Sequence, residues 1–234
     1  MAAAKPASKN DVPARTTRLS GAVRRTHPTR TTRVTRATRA PRADNRVLQV
    51  LDAAATQFAA KGFQAASIRA IVEAVGMLPG SLYYHFANKD ELLAAVYGEG
   101  VRRISAAVAE AVAQQRDPWA RLEAACAAHL ESLLEQSAYS KVVISVQPAD
   151  VPPVARVLIA LRDGYEQQFI ALIAALPLPR AMGGKRARTT LRMLLLGALN
   201  WAPVWYRAGG ATPRQIARDM IQLLKAALAA PARP

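Results

Sequence analysis

The chain of 234 residues contains few cysteines, histidines, aromatic residues and acidic residues, and it has no long hydrophobic run. The single cysteine, Cys126, excludes an internal disulfide framework and predicts a reducing, cytoplasmic location. It stands among alanines on a helical pattern, which indicates a buried side chain rather than a reactive thiol. The three histidines (His27, His85 and His129) and this cysteine are too far apart in sequence to indicate a zinc site. We therefore predict neither a metal nor a cofactor.

Long hydrophobic runs are also lacking. The most apolar stretch, residues 193–206, contains Asn200 and Pro203 and is shorter than the roughly 20 residues that span a bilayer. The N-terminus has no uninterrupted apolar signal core, so no membrane-spanning segment is expected. Aromatic residues make up only 6% of the chain, and no stretch alternates apolar with polar residues as strands do. Because alanine and leucine dominate, the sequence predicts an all-α fold.

Acidic residues are few: 16 stand against 32 lysines and arginines, which gives a formal net charge of +16. This excess predicts an anionic partner, and nucleic acid, an acidic membrane and an anionic ligand are all compatible with it. Residues 1–43 hold 11 of the basic residues and one acid, Asp11. Large apolar residues are nearly absent there, so a disordered basic tail is predicted. The tail is either an extension without function or an arm that follows phosphates or enters the minor groove.

Residues 67–86 read SIRAIVEAVGMLPGSLYYHF and predict two short helices joined by a tight turn. Ser67 can cap the first helix, whose apolar residues recur at helical spacing. Gly76 suits the left-handed residue that ends a helix, and Pro79 suits the first turn of the next one.

The second helix directs Leu82 and Phe86 toward the core and leaves a serine, two tyrosines and a histidine on its other faces. Such a set packs poorly in a core and suits phosphates and base edges. A preceding helix, capped by Asp44 or Asn45 and ended at Gly62, is expected to brace the pair. An ordinary helical hairpin is the alternative, but the polar face favours a helix-turn-helix whose second helix reads the major groove.

The motif S-I-R-A-I-V-E-A-V-G, followed by G-S-L-Y-Y-H-F-A-N-K-D-E-L-L, resembles the DNA-binding domain of the TetR/AcrR family of bacterial repressors. The resemblance implies an N-terminal three-helix helix-turn-helix domain over residues 44–104. It also implies a C-terminal helical ligand-binding and dimerisation domain over residues 105–234.

By the same resemblance, one set of residues is expected to contact double-stranded DNA: Ser67, Arg69, Leu78, Pro79, Gly80, Ser81, Tyr83, Tyr84, His85 and Lys89. The family lysine that matches Lys89 contacts a phosphate, and a solvated surface lysine is the alternative. Leu78 stands where the family usually has a capping serine or threonine, and leucine offers no acceptor. The base edges that are read near Leu78 therefore stay open.

Helical signals continue to the end of the chain. Asn88 can cap a long helix in which Gly98 and Gly100 are candidates for a bend. Five further helices are predicted over residues 118–134, 138–146, 150–176, 185–207 and 213–229. The last two have broad apolar faces, which suit burial within one chain or a dimer. The resemblance implies a homodimer, and a dimer would let a short reading helix engage two half-sites.

The segment L-L-L-G-A-L-N-W-A-P-V-W-Y-R-A-G-G resembles a subset of the family that is associated with lipid and acyl-thioester metabolism. It implies a small-molecule effector bound between the C-terminal helices. Candidate apolar contacts are Trp119, Phe169, Trp201 and Trp205. Candidate partners for an anionic headgroup are Arg156, Arg162 and Arg192. Aromatic residues at helical spacing more often belong to a plain core.

Together these patterns predict a homodimeric transcriptional regulator without membrane contact, namely a repressor that binds a palindromic operator and is released by an acyl thioester or another partly apolar anion. One alternative is a non-specific nucleoid-type DNA-binding protein that uses the basic tail. Another is an acyl-thioester-handling enzyme. The sequence offers no nucleophile–base–acid spacing, metal-ligand cluster or phosphate-binding glycine loop, so no enzymatic activity is predicted.

Overall fold

The computed structural model describes residues 41–229, with side-chain placement for residues 45–228. This part of the chain forms α-helices and three short 3-10 turns and contains no strand, so the predicted all-α fold is confirmed. The helices are α1 (Pro41–Ala65), α2 (Ile68–Ala74), α3 (Pro79–Tyr83), α4 (Lys89–Ala113), α5 (Pro118–Leu134), α6 (Ala138–Ser145), α7 (Ala155–Ala174), α8 (Lys185–Asn200), α9 (Ala202–Trp205) and α10 (Pro213–Ala229). The 3-10 turns are Pro148–Asp150, Pro152–Val154 and Arg180–Met182.

α1 begins earlier than the sequence predicts. The described part of the helix already includes Pro41, so neither Asp44 nor Asn45 lies at the predicted cap. Gly62 leaves the helical conformation with φ 76° and ψ 160°, a combination that is open to glycine and strained for other residues. Residues 1–40 of the predicted tail lie outside the described residues. Residues 41–43, which the prediction also assigned to the tail, belong to α1.

The first four helices share one hydrophobic core. Phe58, Ile71, Leu82 and Leu92, one from each helix, are at most 3% exposed, and burial of each such side chain stabilises the fold by about 1.5–3 kcal/mol. The ring of Phe63 lies half-buried, 5.6 Å from that of Phe58, and packs against this core. The two short helices α2 and α3 are thereby fixed against α1 and α4.

α4 is a single long helix that links this core to the remaining helices. Its cap is confirmed, because Asn88 Oδ1 accepts a hydrogen bond from the backbone N–H of Glu91 at 2.8 Å. The helix runs without a break through Gly98 and Gly100, so the suggested bend is not found. The glycines instead permit close packing: a Cβ added at Gly100 would lie 2.7 Å from Cγ2 of Val143 in α6, and Gly98 faces α7.

The C-terminal helices surround α5, which packs against α4 and α10. Cys126 of α5 is fully buried, and burial raises the pKa of its thiol to about 12. This agrees with the predicted role as a buried side chain. None of the helices within residues 41–229 combines the length and the apolar character needed to cross a bilayer.

The predicted helix over residues 185–207 is broken in the structure. α8 ends at Asn200, and the short helix α9 follows after Trp201. Pro203 explains the break, because it has no N–H to continue the helical ladder and its ring crowds the preceding turn. Prolines act in the same way before α7, where 3-10 turns fill residues 148–154 and delay the helix to Ala155.

Arg188 ties the end of α7 to the start of α8, a contact that sequence patterns did not predict. Its Nε donates to the carbonyl of Gly183 at 3.0 Å, and its two Nη atoms donate to the carbonyls of Ile173 and Leu176. The last carbonyls of a helix lack partners within that helix. One planar guanidinium therefore satisfies acceptors from three positions at the end of α7 and in the loop after it.

Candidate nucleic-acid interface and internal cavity

The turn between α2 and α3 has the geometry that the sequence predicts. Gly76 adopts φ +64°, and the N–H of Met77 donates to the carbonyl of Val72 at 2.8 Å. Pro79 occupies the first turn of α3. Ser67 lies at the N-cap position of α2, but its hydroxyl makes no capping hydrogen bond. That predicted bond is therefore wrong, and α2 is held by packing of its apolar face.

Nine of the ten residues that we predicted to contact DNA are exposed around this turn. Leu78, Tyr83 and Tyr84 have 77%, 53% and 86% of their surface exposed, which is unusual for side chains of this size. We call the exposed set the reading surface: Ser67, Arg69, Leu78, Pro79, Gly80, Ser81, Tyr83, Tyr84 and His85. Leu82, which is 1% exposed, anchors α3 from behind.

Arg69 is the one guanidinium of the reading surface. Its Nε lies 2.7 Å from Oε1 of Glu73, one helical turn along α2, and both side chains are largely solvent-exposed. Exposed ion pairs of this kind are weak because water and salt screen them. A phosphate group can therefore displace Glu73 from Arg69 without a large penalty.

Lys89 is the tenth predicted DNA contact, and it is half-buried. Its Nζ donates to the carbonyl of Gln64 at 3.0 Å and lies 4.8 Å from the ring centroid of Phe63. Burial lowers the pKa of this ammonium group. Lys89 thus joins the start of α4 to the end of α1, unlike a freely solvated lysine. An ammonium group has three N–H donors, so donors remain for a phosphate.

A cavity of about 380 Å³ lies among α4 to α9. Its apolar lining consists of Val101, Ile104, Leu133, Val143, Ile144, Leu196, Trp201, Pro203 and Val204. Its polar lining consists of Tyr97, His129, Gln147, Arg162, Tyr165, Glu166 and Asn200. A mainly apolar wall with a few polar groups is typical of small-molecule sites.

Two of the seven predicted effector contacts, Arg162 and Trp201, line this cavity. Arg192 stands behind the wall and is paired with Glu166, which lines it. Phe169 is fully buried beneath the cavity, with its ring centroid 6.0 Å from that of His129.

The other three predicted contacts lie elsewhere. Trp119 packs within the α5–α10 core, where the ammonium of Lys225 lies 5.6 Å from its ring centroid. Arg156 and Trp205 are exposed and do not line the cavity. Helical spacing alone could not separate these positions from Arg162 and Trp201, because the break after α8 and the packing of α7 decide which side chains border the cavity.

His129 is a cavity residue that no sequence pattern predicted. Its ring is 3% exposed, with Nδ1 2.6 Å from Oη of Tyr165 and Nε2 3.1 Å from Oδ1 of Asn200. Burial lowers its pKa to about 4, so the ring is neutral at pH 7. A proton on Nε2 satisfies both contacts, with Tyr165 donating to Nδ1 and Nε2 donating to Asn200. A histidine in an otherwise apolar stretch of α5 was the available signal.

A polar cluster connects α6, which forms part of the cavity wall, to α1 and α4. The hydroxyl of Tyr139 donates to Oδ1 of Asp52 in α1 at 2.9 Å. The guanidinium of Arg103 lies 4.0 Å from the Tyr139 ring centroid and donates from Nε to Glu99 at 2.7 Å. Hydrogen bonding from Arg102 is the main reason that the pKa of Glu99 falls to about 2. Helix α6, which lines the cavity with Val143 and Ile144, is thus hydrogen-bonded to the helix that braces the reading surface.

The apolar faces of α8 and α10 are only partly buried within the chain. Leu195 and Ile221 are at most 3% exposed, whereas Met193, Leu194 and Leu223 are 65%, 67% and 72% exposed. Apolar grooves run between the two helices. Exposed apolar surface of this kind indicates contact with another protein.

The sequence matches two protein-family models and several characterised regulators. The family model for bacterial regulatory proteins of the tetR family matches residues 50–96, and the model for the tetracyclin repressor-like C-terminal domain matches residues 115–228. The transcriptional repressor KstR2 of Rhodococcus jostii strain RHA1 is 29% identical over 191 residues, which are 80% of this chain and 92% of that protein.

Solved structures show the same fold. The superantigen PfiT superposes with a TM-score of 0.67 at 27% identity, covering 78% of this chain and 97% of that one. AibR in complex with isovaleryl coenzyme A and operator DNA superposes with a TM-score of 0.60 at 21% identity, covering 76% of this chain and 97% of that one. With both family models matched in order and a helix-turn-helix at the predicted position, the chain belongs to the TetR family of bacterial regulatory proteins.

Proposed function

We propose that the chain is a transcriptional repressor that binds an inverted repeat in DNA as a homodimer and is released by a small effector. The observation that carries this proposal is the hydrogen bond from Tyr139 of α6 to Asp52 of α1, which connects a helix that lines the cavity to the helix that braces the reading surface. KstR2, a repressor aligned over most of this chain, and AibR, bound to both an acyl thioester and operator DNA, support it.

In this proposal, residues 44–104 form the DNA-binding domain, and α3 enters the major groove. Arg69, Tyr84 and Lys89 contact phosphates, which fixes the register of the domain on the duplex. The remaining residues of the reading surface meet base edges or the adjacent backbone. A helix of five residues reads few base pairs, so specificity comes from two half-sites bound by two chains.

Residues 105–234 form the effector-binding and dimerisation domain in the same proposal. The second chain covers the exposed apolar side chains of α8 and α10, among them Leu194 and Leu223. Burial of such side chains at about 25 cal/mol per Å² gives the association its driving force. The partner packs the same two helices against these, which gives a four-helix interface with two-fold symmetry.

The effector in this proposal is a partly apolar anion, with an acyl thioester as the first choice. A cavity of about 380 Å³ has the volume of roughly a dozen water molecules, so it encloses an acyl group and leaves a nucleotide headgroup outside. The apolar lining provides affinity. Arg162, at the solvent-exposed side of the lining, pairs with the charged part.

The groups of the cavity support binding rather than catalysis. His129 is neutral and engages both ring nitrogens. Cys126, buried in the core outside the cavity lining, has a raised pKa that keeps its thiol protonated. Release then requires that the effector bind the DNA-incompetent arrangement more tightly than the DNA-competent one. α4 and α6, which wall the cavity and contact α1, are the elements through which that preference is transmitted.

Unbiased selection of bound duplexes from a random pool tests the DNA-binding part of the proposal. We expect one enriched inverted repeat, bound by two chains in sedimentation experiments at physiological salt. Enrichment without dyad symmetry, or a complex with one chain, would contradict the dimeric repressor. Binding without any preferred sequence would instead favour the nucleoid-type alternative.

A further inference from the structure

Tyr97 has a hydroxyl group that opens to the cavity and has no assigned role in the structure. The residue lies on α4, is 2% exposed and lines the cavity. Its hydroxyl donates no hydrogen bond to any atom of residues 45–228, whereas the hydroxyls of Tyr139 and Tyr165 both bond to partners. The hydroxyl of Tyr97 is not bonded to the described part of the protein and borders the cavity, so it is available as a donor to a ligand bound there.

The neighbouring cavity residue Arg162 is also without a partner. No carboxylate among the side chains of residues 45–228 lies within ion-pair distance of its guanidinium, while Glu166 is already paired with Arg192. Burial raises the pKa of Tyr97 despite the opposing charge of Arg162, so the phenol is a protonated donor at neutral pH. His129 and Tyr165, by contrast, are bonded to each other.

We propose that Tyr97 and Arg162 together hold the polar end of the effector, Tyr97 donating to its carbonyl oxygen and Arg162 pairing with its anionic group. For an acyl thioester, the thioester carbonyl meets Tyr97 inside the cavity, and a phosphate meets Arg162 at the exposed side. This assignment rests on the proposed function, in which the cavity is the effector site.

The position of Tyr97 adds a regulatory consequence. α4 begins at Lys89, which is bonded to the end of α1, and Tyr97 lies about two turns further along the same helix. A hydrogen bond from Tyr97 to the effector therefore acts on the helix that carries the DNA-binding domain. Loss of this bond should reduce both the affinity for the effector and the extent of release from DNA at saturating effector.

Calorimetric titration of the full-length protein with isovaleryl coenzyme A tests the assignment. A matched probe is the thioether analogue, which keeps the branched chain and the coenzyme but has CH₂ in place of the carbonyl. We expect Tyr97→Phe to weaken thioester binding about five- to tenfold, the effect of one neutral hydrogen bond, and to leave thioether binding unchanged. Tyr206→Phe, a tyrosine outside the cavity lining, is the control and should bind both probes like the original protein.

Arg162→Gln should weaken the binding of both probes and reduce its dependence on salt concentration, because the change removes a charge and keeps polar atoms. The assignment is overturned if Tyr97→Phe binds the thioester as tightly as the original protein does. It is also overturned if Tyr97→Phe loses affinity for the thioester and for the thioether by the same factor. If the original protein binds neither isovaleryl nor longer acyl thioesters, the proposed effector class is wrong and this assignment falls with it. The DNA-selection result is unaffected by either outcome, so the two failures are distinguishable.

Discussion

His129 should make the protein less stable as the solution is acidified below neutrality. Its ring is 3% exposed, and burial lowers its pKa from 6.5 to about 4. The unfolded chain therefore takes up a proton at a higher pH than the folded chain does. The stabilisation by the neutral ring is complete above pH 6.5 and is lost as the pH falls toward 4.

The magnitude follows from the difference between the two pKa values. Each unit corresponds to about 1.4 kcal/mol, so the free energy of unfolding should fall by about 2 kcal/mol between pH 7 and pH 5. The carboxylate of Glu99, with its pKa lowered to about 2, also makes the protein less stable on acidification, but mainly below pH 4.5. The interval from pH 7 to pH 5 therefore isolates the contribution of His129.

Urea unfolding at pH 7, 6 and 5, at one protein concentration, measures this effect. The original protein and His85→Gln, a change at an exposed histidine, should both lose about 2 kcal/mol between pH 7 and pH 5. His129→Gln should be less stable at pH 7 and should show little further loss on acidification. A pH-independent stability of the original protein, or an unchanged slope in His129→Gln, would refute the reasoning.

Three further predictions concern DNA binding, folding and assembly. Lys89→Ala should weaken binding to all DNA sequences about equally and lower the salt slope by roughly 1, since it removes the proposed phosphate contact; binding is measured by fluorescence anisotropy at several salt concentrations. Arg188→Lys should lower the free energy of unfolding by about 1.5–3 kcal/mol, because an ammonium cannot reach all three carbonyls that the guanidinium satisfies; urea unfolding measures it. The double change Leu194→Glu and Leu223→Glu should give monomers in sedimentation and abolish tight operator binding, because it places charges in the proposed interface.

Each of these changes has a matched control. Lys141→Ala removes an exposed lysine from α6 and should keep the full salt slope. Arg186→Ala changes an exposed arginine two residues before Arg188 and should leave stability nearly unchanged. Val157→Glu places a charge on an exposed apolar residue of α7 and should leave the dimer intact. A control that behaves like its partner variant would contradict the corresponding assignment.

Local signals in the sequence were sufficient for most helix boundaries. Gly76, Pro79 and Asn88 each do at their position what their chemistry predicts. Asp117 also caps its helix, with Oδ2 accepting from the N–H of Ala120 at 2.9 Å, and Thr212 bonds the N–H of Gln215. These features depend on a few neighbouring residues, which is why they can be read without the fold.

The cavity and its connections depend on residues distant in sequence and could not be read in that way. Tyr97 and Arg162 come from α4 and α7, and helical periodicity gives each a face but not the helix it meets. The bond between Tyr139 and Asp52 spans 87 positions. The glycine at position 100 suggested a bend, whereas the close approach of α6 explains it.

The most direct test of the proposed coupling between cavity and reading surface is the affinity of isovaleryl coenzyme A for the free protein and for the protein bound to its selected operator. Coupling between two sites is reciprocal. If the effector lowers operator affinity by a given factor, operator binding must lower effector affinity by the same factor, and we expect about 5- to 150-fold. Equal effector affinity for the free and the operator-bound protein would contradict the coupling.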